Sequence, residues 1–226
     1  MFDNLIKFWK GDDFLSTVLG EFQQMLLDSQ NIFSSVFKFL VENEETPGLE
    51  DKVFSIDKKV NQLEKDIRTR IITHLAVRPE VDTGMSLLLM SVIKDAERLG
   101  DYGKNLFGVS QILAKPIEKT KYYSYFGDID KDIIKLFEDT ENAFMDNDEG
   151  KAAKSWKYEN KIVKFCDEVI DKLSKSDDLS TNEAVSYTLI ARYYKRIAAH
   201  LANIATSVIL PLNDLDFYDE KQKPLK

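Results

Sequence analysis

The sequence predicts an all-α protein built from two tandem three-helix bundles, with six long antiparallel helices in all. Apolar residues recur every three or four positions along nearly the whole chain, which is the spacing of one face of a helix. Of 226 residues only 9 are Gly and 5 are Pro, whereas 14 are Phe and 9 are Tyr. Such a chain can bury a large core and rarely needs tight turns. The two halves also align over one helix, which indicates an internal duplication.

The first three predicted helices lie within residues 1–114. They are expected at about residues 12–42, 47–75 and 80–114. Thr46 can cap the second helix, and Pro47 suits its first position because a helix leaves that N–H unpaired. The third helix starts after the proline at position 79, since the residue before a proline is pushed out of the α region. Pro116 ends it.

Residues 115–127 are predicted to be an irregular connection, and residues 128–226 to hold the second bundle. The aromatic side chains of the connection indicate packing rather than a free linker. These are Tyr122, Tyr123, Tyr125 and Phe126. The fourth helix is expected to end near Asp146, and the fifth to span about residues 149–174. Ser180 and Glu183 have the spacing of a capping box that opens the sixth, and Pro211 closes it.

Charge and cysteine content narrow the class of protein. The 31 Lys and Arg residues against 39 Asp and Glu give a net charge of −8, which repels the phosphate backbone of nucleic acids. Cys166 is the single cysteine, so no intramolecular disulfide can form. The chain lacks the pattern of a secretory signal and any apolar stretch near the roughly 20 residues that a spanning helix needs. We therefore expect a cytoplasmic protein without a nucleic-acid partner.

Oxygen-bearing side chains follow one face of the third predicted helix. Glu97, Asp101 and Asn105 stand at i, i+4 and i+8, roughly opposite the apolar seam, and should face outward. On the second helix, Asp57 and Asn61 hold the same angular position relative to their seam. Carboxylate and amide oxygens suit Mg²⁺, Mn²⁺ or iron, so two such neighbouring stripes could share a cation. Spacing alone fits a solvated helix face as well.

Two more residues continue the stripe of the second helix. Glu64 and Arg68 are four residues apart, which is the spacing of an ion pair on one helix face. We expect them to pair with each other rather than to bind metal.

Residues 91–105, with the sequence SVIKDAERLGDYGKN, resemble the signature of PhoU-type phosphate-uptake regulators. The pattern is an acidic residue, three residues and an aspartate, followed by an asparagine. Residues 57–64 are similar to the companion motif on the preceding helix, and the likeness extends to chain length and duplication. The resemblance implies bundles whose acidic motifs hold metal clusters on the outer surface. It also implies a cytoplasmic brake on phosphate acquisition that works with a phosphate-specific ABC transporter and a sensor histidine kinase.

The second half departs from this pattern. Lys195 and Ala199 occupy the positions that match Glu97 and Asp101. An ammonium repels a cation and alanine supplies no oxygen, while Lys195 could neutralise the retained acid Glu159 directly. We therefore expect metal in the first half only.

The sequence thus predicts a non-enzymatic regulator of phosphate uptake that reaches the membrane only through its protein partners. Two alternatives remain open: a metal-free helical adaptor and a carboxylate metal-dependent helical enzyme. An outward stripe disfavours the enzyme, because it offers no enclosed pocket that excludes water. Whether two copies form a homodimer is left open.

Two further patterns have more than one interpretation. The N-terminus is amphipathic, with Phe2, Leu5, Ile6 and Trp9 on one side, and could dock on a membrane, on a partner helix or on its own bundle. The fifth predicted helix carries a stripe of lysines that could meet an acidic partner or anionic lipid, or could simply be solvated. Its members are Lys151, Lys154, Lys157, Lys161 and Lys164.

Overall fold

The computed structural model of the protein describes residues 13–78, 80, 82–216 and 218. Within these residues the chain forms seven α-helices and one short 3-10 helix, and no strands. The helices are α1 Asp13–Leu40, α2 Leu49–Val77, α3 Thr83–Ile112, α4 Lys119–Phe126, α5 Ile129–Asp146, α6 Glu149–Ser174 and α7 Thr181–Thr206. The predicted all-α fold is confirmed. The amphipathic N-terminal segment with Phe2, Leu5, Ile6 and Trp9 lies outside the described residues.

The helices pack as two groups of three. Helices α1, α2 and α3 lie against one another, as do α5, α6 and α7. The groups meet along α3 and α7, and α1 also contacts α5. Their buried apolar side chains form one continuous core. No helix in the described part of the chain has both the length and the apolar character needed to cross a membrane.

Aromatic side chains of α1 contribute to the core of both groups. The Phe33 ring lies 6.2 Å from that of Phe137 and 5.7 Å from that of Tyr194, measured between centroids. Phe22 and Phe144 are closer, with centroids 4.8 Å apart. Helix α1 therefore presents one face to α2 and α3 and another to the second group, which removes both faces from water.

The connection between the groups contains a helix, so the prediction of an irregular segment is wrong. The Glu118 carboxylate accepts hydrogen bonds from the backbone N–H groups of Thr120 and Lys121, at 2.9 and 2.7 Å, and so caps α4. Glutamate is an uncommon N-cap residue, so the sequence does not predict that a helix begins here. The prediction that the aromatic residues pack is confirmed, since Tyr122 and Phe126 are fully buried.

The other helix ends follow the sequence closely. Ser180 and Glu183 form the predicted capping box at the start of α7, with each side chain bonded to the other's backbone N–H. The start of α2 differs by two residues, because Gly48 adopts a φ of 71° as its N-cap and the helix begins at Leu49 rather than Pro47.

Helices α1 and α3 approach closely at Gly103. A Cβ atom at this position would lie 2.6 Å from Cγ2 and 3.2 Å from Cβ of Ile32. Only a glycine allows the two backbones to come this near, so Gly103 sets the separation of α1 and α3.

Polar contacts join the two motif-bearing helices where α3 meets α7. Asp95 Oδ1 lies 2.7 Å from Nδ1 of His200 and accepts a hydrogen bond from Nδ2 of Asn203 at 3.1 Å. The Tyr102 ring stacks on the imidazole, with centroids 5.5 Å apart. His200 and Asn203 therefore hold the second group against the first.

Candidate metal site

The apolar seams that position the candidate site are buried as predicted. On α3 every member of the predicted seam is buried: Met85, Leu88, Leu89, Val92, Ala96, Leu99, Gly103 and Leu106. On α2, Val53, Val60 and Ile67 are fully buried, whereas Ile56 and Leu63 are partly so. With both seams turned to the core, the acidic residues of α2 and α3 lie on adjoining edges of the two helices.

The prediction that these acids face solvent is wrong for two of them. Asp57 is 7% exposed and Glu97 is 8% exposed. Asn61 and Asp101 are half-buried, and only Asn105 is exposed. The angular position of a residue around its own helix does not predict this burial, because the neighbouring helix and long cationic side chains cover the carboxylates.

Asp57 and Asp101 converge on a single ammonium group. Nζ of Lys104 lies 2.9 Å from each carboxylate oxygen of Asp57 and 3.1 Å from Oδ1 of Asp101. Burial alone would lower the pKa of Lys104, but its hydrogen bonds to the two aspartates raise that pKa above the ordinary value. Lys104 is therefore a firmly charged cation that bridges α2 and α3.

A second ammonium, that of Lys94, lies between two glutamates about three turns earlier on α3. Nζ of Lys94 is 2.8 Å from Oε2 of Glu97 and 3.8 Å from Oε1 of Glu64. Arg68 Nη2 is 2.9 Å from the same Glu64 oxygen, so the predicted ion pair of Glu64 with Arg68 is confirmed.

Arg98 is the fourth cationic side chain at this surface. Its Nη1 lies 2.8 Å from Oδ2 of Asp101, and its Nε lies 3.8 Å from Oε2 of Glu97. Four carboxylates thus face four cationic side chains across α2 and α3. The chain itself supplies the positive charge that the acidic residues require.

At one point of this surface two carboxylates share one positive charge, because Asp57 and Asp101 both contact the Lys104 ammonium. Carboxylate oxygens are also the ligands that hard and borderline metal ions prefer. Oε1 of Glu64 and Oε2 of Glu97 are buried and accept no hydrogen bond with a described residue, although both lie within ion-pair distance of cationic side chains. Among the described residues, no three His, Cys, Asp or Glu side chains are grouped closely enough to hold a metal by themselves.

The matching surface of the second group carries an internal ion pair. Nζ of Lys195 contacts both carboxylate oxygens of Asp167, at 2.7 and 2.8 Å. The expectation that Lys195 neutralises Glu159 is therefore wrong. Glu159 instead lines a polar cavity of about 120 Å³ together with Asn203 and Asp216. Asp167 follows Glu159 by about two turns of α6.

The sequence interpretation missed three of the four cationic side chains of the site. Lys94, Arg98 and Lys104 stand three residues from an acidic residue of α3, a spacing that places side chains on one helix face. That spacing could have identified them. The contacts of Lys104 with Asp57 and of Lys94 with Glu64 on α2 depend on how the two helices pack, which the spacing does not show.

Comparisons with known proteins agree with this architecture. The family model of the PhoU domain matches residues 22–107 and 129–208. A phosphate-specific transport system accessory protein, PhoU homolog 1 of Thermotoga maritima, is 22% identical over 192 residues, which cover 83% of this chain and 82% of that protein.

Two crystal structures share the fold. PhoU from Pseudomonas aeruginosa has a TM-score of 0.70 and 20% identity, covering 92% of this chain and 97% of that one. The phosphate transport system regulatory protein PhoU from Streptococcus pneumoniae has a TM-score of 0.71 and 18% identity, covering 95% and 100%. Because the PhoU domain matches one segment in each helical group and well over half of the sequence, this chain belongs to the PhoU family.

Proposed function

We propose that this protein is a non-enzymatic regulator of phosphate transport that acts in the cytoplasm through contacts with other proteins. The observation that carries the proposal is the PhoU domain in both halves of the chain. The relatives are named as an accessory protein and a regulatory protein of phosphate transport systems, which favours regulation over catalysis. The carboxylates of the site are covered by ion pairs rather than arranged around a substrate cavity, which also favours regulation.

The partners we propose are components of a phosphate-specific ABC transporter and a sensor histidine kinase. The Thermotoga maritima relative is named as an accessory protein of a phosphate-specific transport system, which supports a partner within such a system.

To test this, the tagged chain would be expressed in cells that contain such a transporter and kinase and in cells that lack both. We expect recovery with the membrane fraction only in the first case. The membranes would be washed at roughly 1 M salt, where the Debye length is about 3 Å and nonspecific charge contacts are screened. Equal recovery from the two kinds of cell would contradict the proposal.

We also propose that the acidic surface binds a divalent cation or iron in competition with Lys104. Asp57 and Asp101 would hold the ion, and Glu97, Asn61 and Asn105 would supply further oxygens. A bound ion would provide the positive charge that Lys104 otherwise provides. The support is the convergence of two carboxylates on one cation, and the buried Glu97 oxygen that accepts no hydrogen bond with a described residue.

Two opposite substitutions test the competition. Lys104→Met should raise the affinity for Mn²⁺ or Fe²⁺ about tenfold or more, because the competing charge is removed and repulsion between the aspartates returns. Asp101→Ala or Glu97→Ala should abolish most specific binding. Equilibrium dialysis followed by metal analysis measures both effects.

Lys195→Ala is the control, because it also removes an ammonium that is paired with an aspartate, but on the matching surface of the second group. It should leave the metal affinity nearly unchanged. If neither the unaltered chain nor Lys104→Met binds metal, the metal proposal fails and the metal-free adaptor stands. Failure here would not affect the partner experiment.

A further inference from the structure

The lysine stripe of α6 is exposed, and the described residues provide no ion-pair partner for it. Lys154, Lys157, Lys161 and Lys164 are all exposed, and none forms an ion pair with another described residue. Lys151, which the sequence placed in the same stripe, is different, because its ammonium contacts Oδ2 of Asp146 at 2.5 Å. The stripe is therefore defined here as these four lysines.

The four side chains point in nearly the same direction. At 100° per residue they fall within roughly 80° of the helix circumference, and the first and last are about 15 Å apart along the axis. The positive charge is therefore linear and concentrated on one side of α6. By contrast, Lys94 and Lys104 on α3 are each held between carboxylates.

The rest of the molecule makes this stripe unusual. The chain carries a net charge of −8, so four lysines on one helix face without an ion pair to a described residue reverse the sign of the charge locally. Four like charges a turn apart repel one another unless anions lie nearby, and salt screens that repulsion only partly at low ionic strength. The surface thus fits an anionic partner.

We propose that the lysine stripe of α6 contacts the anionic headgroups of a lipid bilayer. Each lysine can extend its ammonium toward a phosphate while the apolar stem stays along the helix. The acidic remainder of the chain is repelled by the same membrane, so the contact fixes which side of the protein faces it. This adds a direct lipid contact to the membrane association that the sequence predicted to occur only through proteins.

The surroundings of the stripe favour a lipid surface over an acidic protein. None of the exposed large apolar side chains belongs to α6, so the stripe lacks the apolar anchors that dominate protein interfaces. An apolar groove of about 320 Å³ runs beside Lys161, but the carboxylates of Asp128 and Asp132 also line it. These would repel an acidic segment that entered the groove. Point-like ammonium groups on flexible stems suit dispersed headgroups.

Co-sedimentation of the purified chain with lipid vesicles tests the proposal without any protein partner. The vesicles would be phosphatidylcholine alone or phosphatidylcholine mixed with phosphatidylglycerol, at about 0.01 M salt, where the Debye length is about 30 Å. We expect binding to the anionic vesicles only, and its loss at roughly 1 M salt. Lys157→Gln/Lys161→Gln should weaken binding about 30-fold, since each lysine near a charged bilayer contributes about fivefold.

Lys58→Gln/Lys65→Gln is the charge-matched control, because both lysines are exposed on α2 and the change in net charge is the same. It should bind as the unaltered chain does. Equal weakening by the two double variants would overturn the proposal, as would a lack of binding to anionic vesicles. If vesicles fail to bind but the stripe variant is recovered less than the unaltered chain with the transporter or kinase at about 0.01 M salt, the stripe docks on an acidic protein instead. Because the vesicles contain no protein, the outcome is independent of the proposed regulatory function.

Discussion

Phe33→Ala is expected to lower the free energy of unfolding by about 3–5 kcal/mol, the range for removing a fully buried phenylalanine. Phe33 is 1% exposed and its ring contacts Phe137 on α5 and Tyr194 on α7. The cavity would therefore open where the two helical groups share their core. Urea denaturation followed by circular dichroism measures the loss, and we expect one transition because the core is continuous.

Phe54→Ala is the matched control for this substitution. Phe54 is 47% exposed and touches one aromatic ring, that of Phe107, at 6.5 Å between centroids. Its removal should cost about 1 kcal/mol or less. Similar losses for the two variants would show that the shared core contributes less than its burial implies. Two separate transitions would show that the groups unfold independently.

Gly103→Ala is expected to destabilise the protein by about 1–3 kcal/mol, although alanine normally favours a helix. The new methyl group would meet Cγ2 of Ile32 at 2.6 Å. Ile32 is β-branched and fully buried, so its side chain cannot turn away and α1 has to shift from α3. The loss of stability should appear in urea denaturation as a lower midpoint concentration of urea, with an unchanged dependence of the unfolding free energy on urea concentration.

Gly108→Ala provides the control on the same helix. A Cβ atom at Gly108 would have no neighbour within 4 Å. This substitution should therefore stabilise the chain by about 0.5–1 kcal/mol, because alanine loses less backbone freedom on folding than glycine does. If both substitutions stabilised the protein, Gly103 would not set the spacing of α1 and α3.

The helices and their buried faces could be predicted from the sequence, because both depend on the spacing of apolar residues along a short stretch of chain. The seam of α3 and the capping box of α7 need only the 3.6-residue period and the hydrogen bonds of one helix end. Cys166 shows the same dependence, because it stands four residues after the buried Ile162 on one face of α6. It is fully buried, and burial raises the pKa of its thiol to about 12.

The candidate site was predictable only in part. Acidic spacing identified Asp57, Glu97 and Asp101, but their burial depends on how α2 and α3 lie side by side. Lys104 shows the difficulty, since its flexible stem can reach either helix and only the packed structure shows that it bridges both. Lys195 is a second example of a side chain whose partner the sequence does not predict, because it pairs with Asp167 rather than with Glu159.

The ribosome makes the aromatic face of α1 before it makes the helices that cover this face. Its partners Phe137, Phe144 and Tyr194 belong to α5 and α7, which follow α1 along the chain. At about 5–20 residues per second, the second helical group takes on the order of 5–20 s to synthesise. During that interval Phe22 and Phe33 have no covering helices. The nascent chain therefore exposes to chaperones an aromatic surface that the finished protein hides.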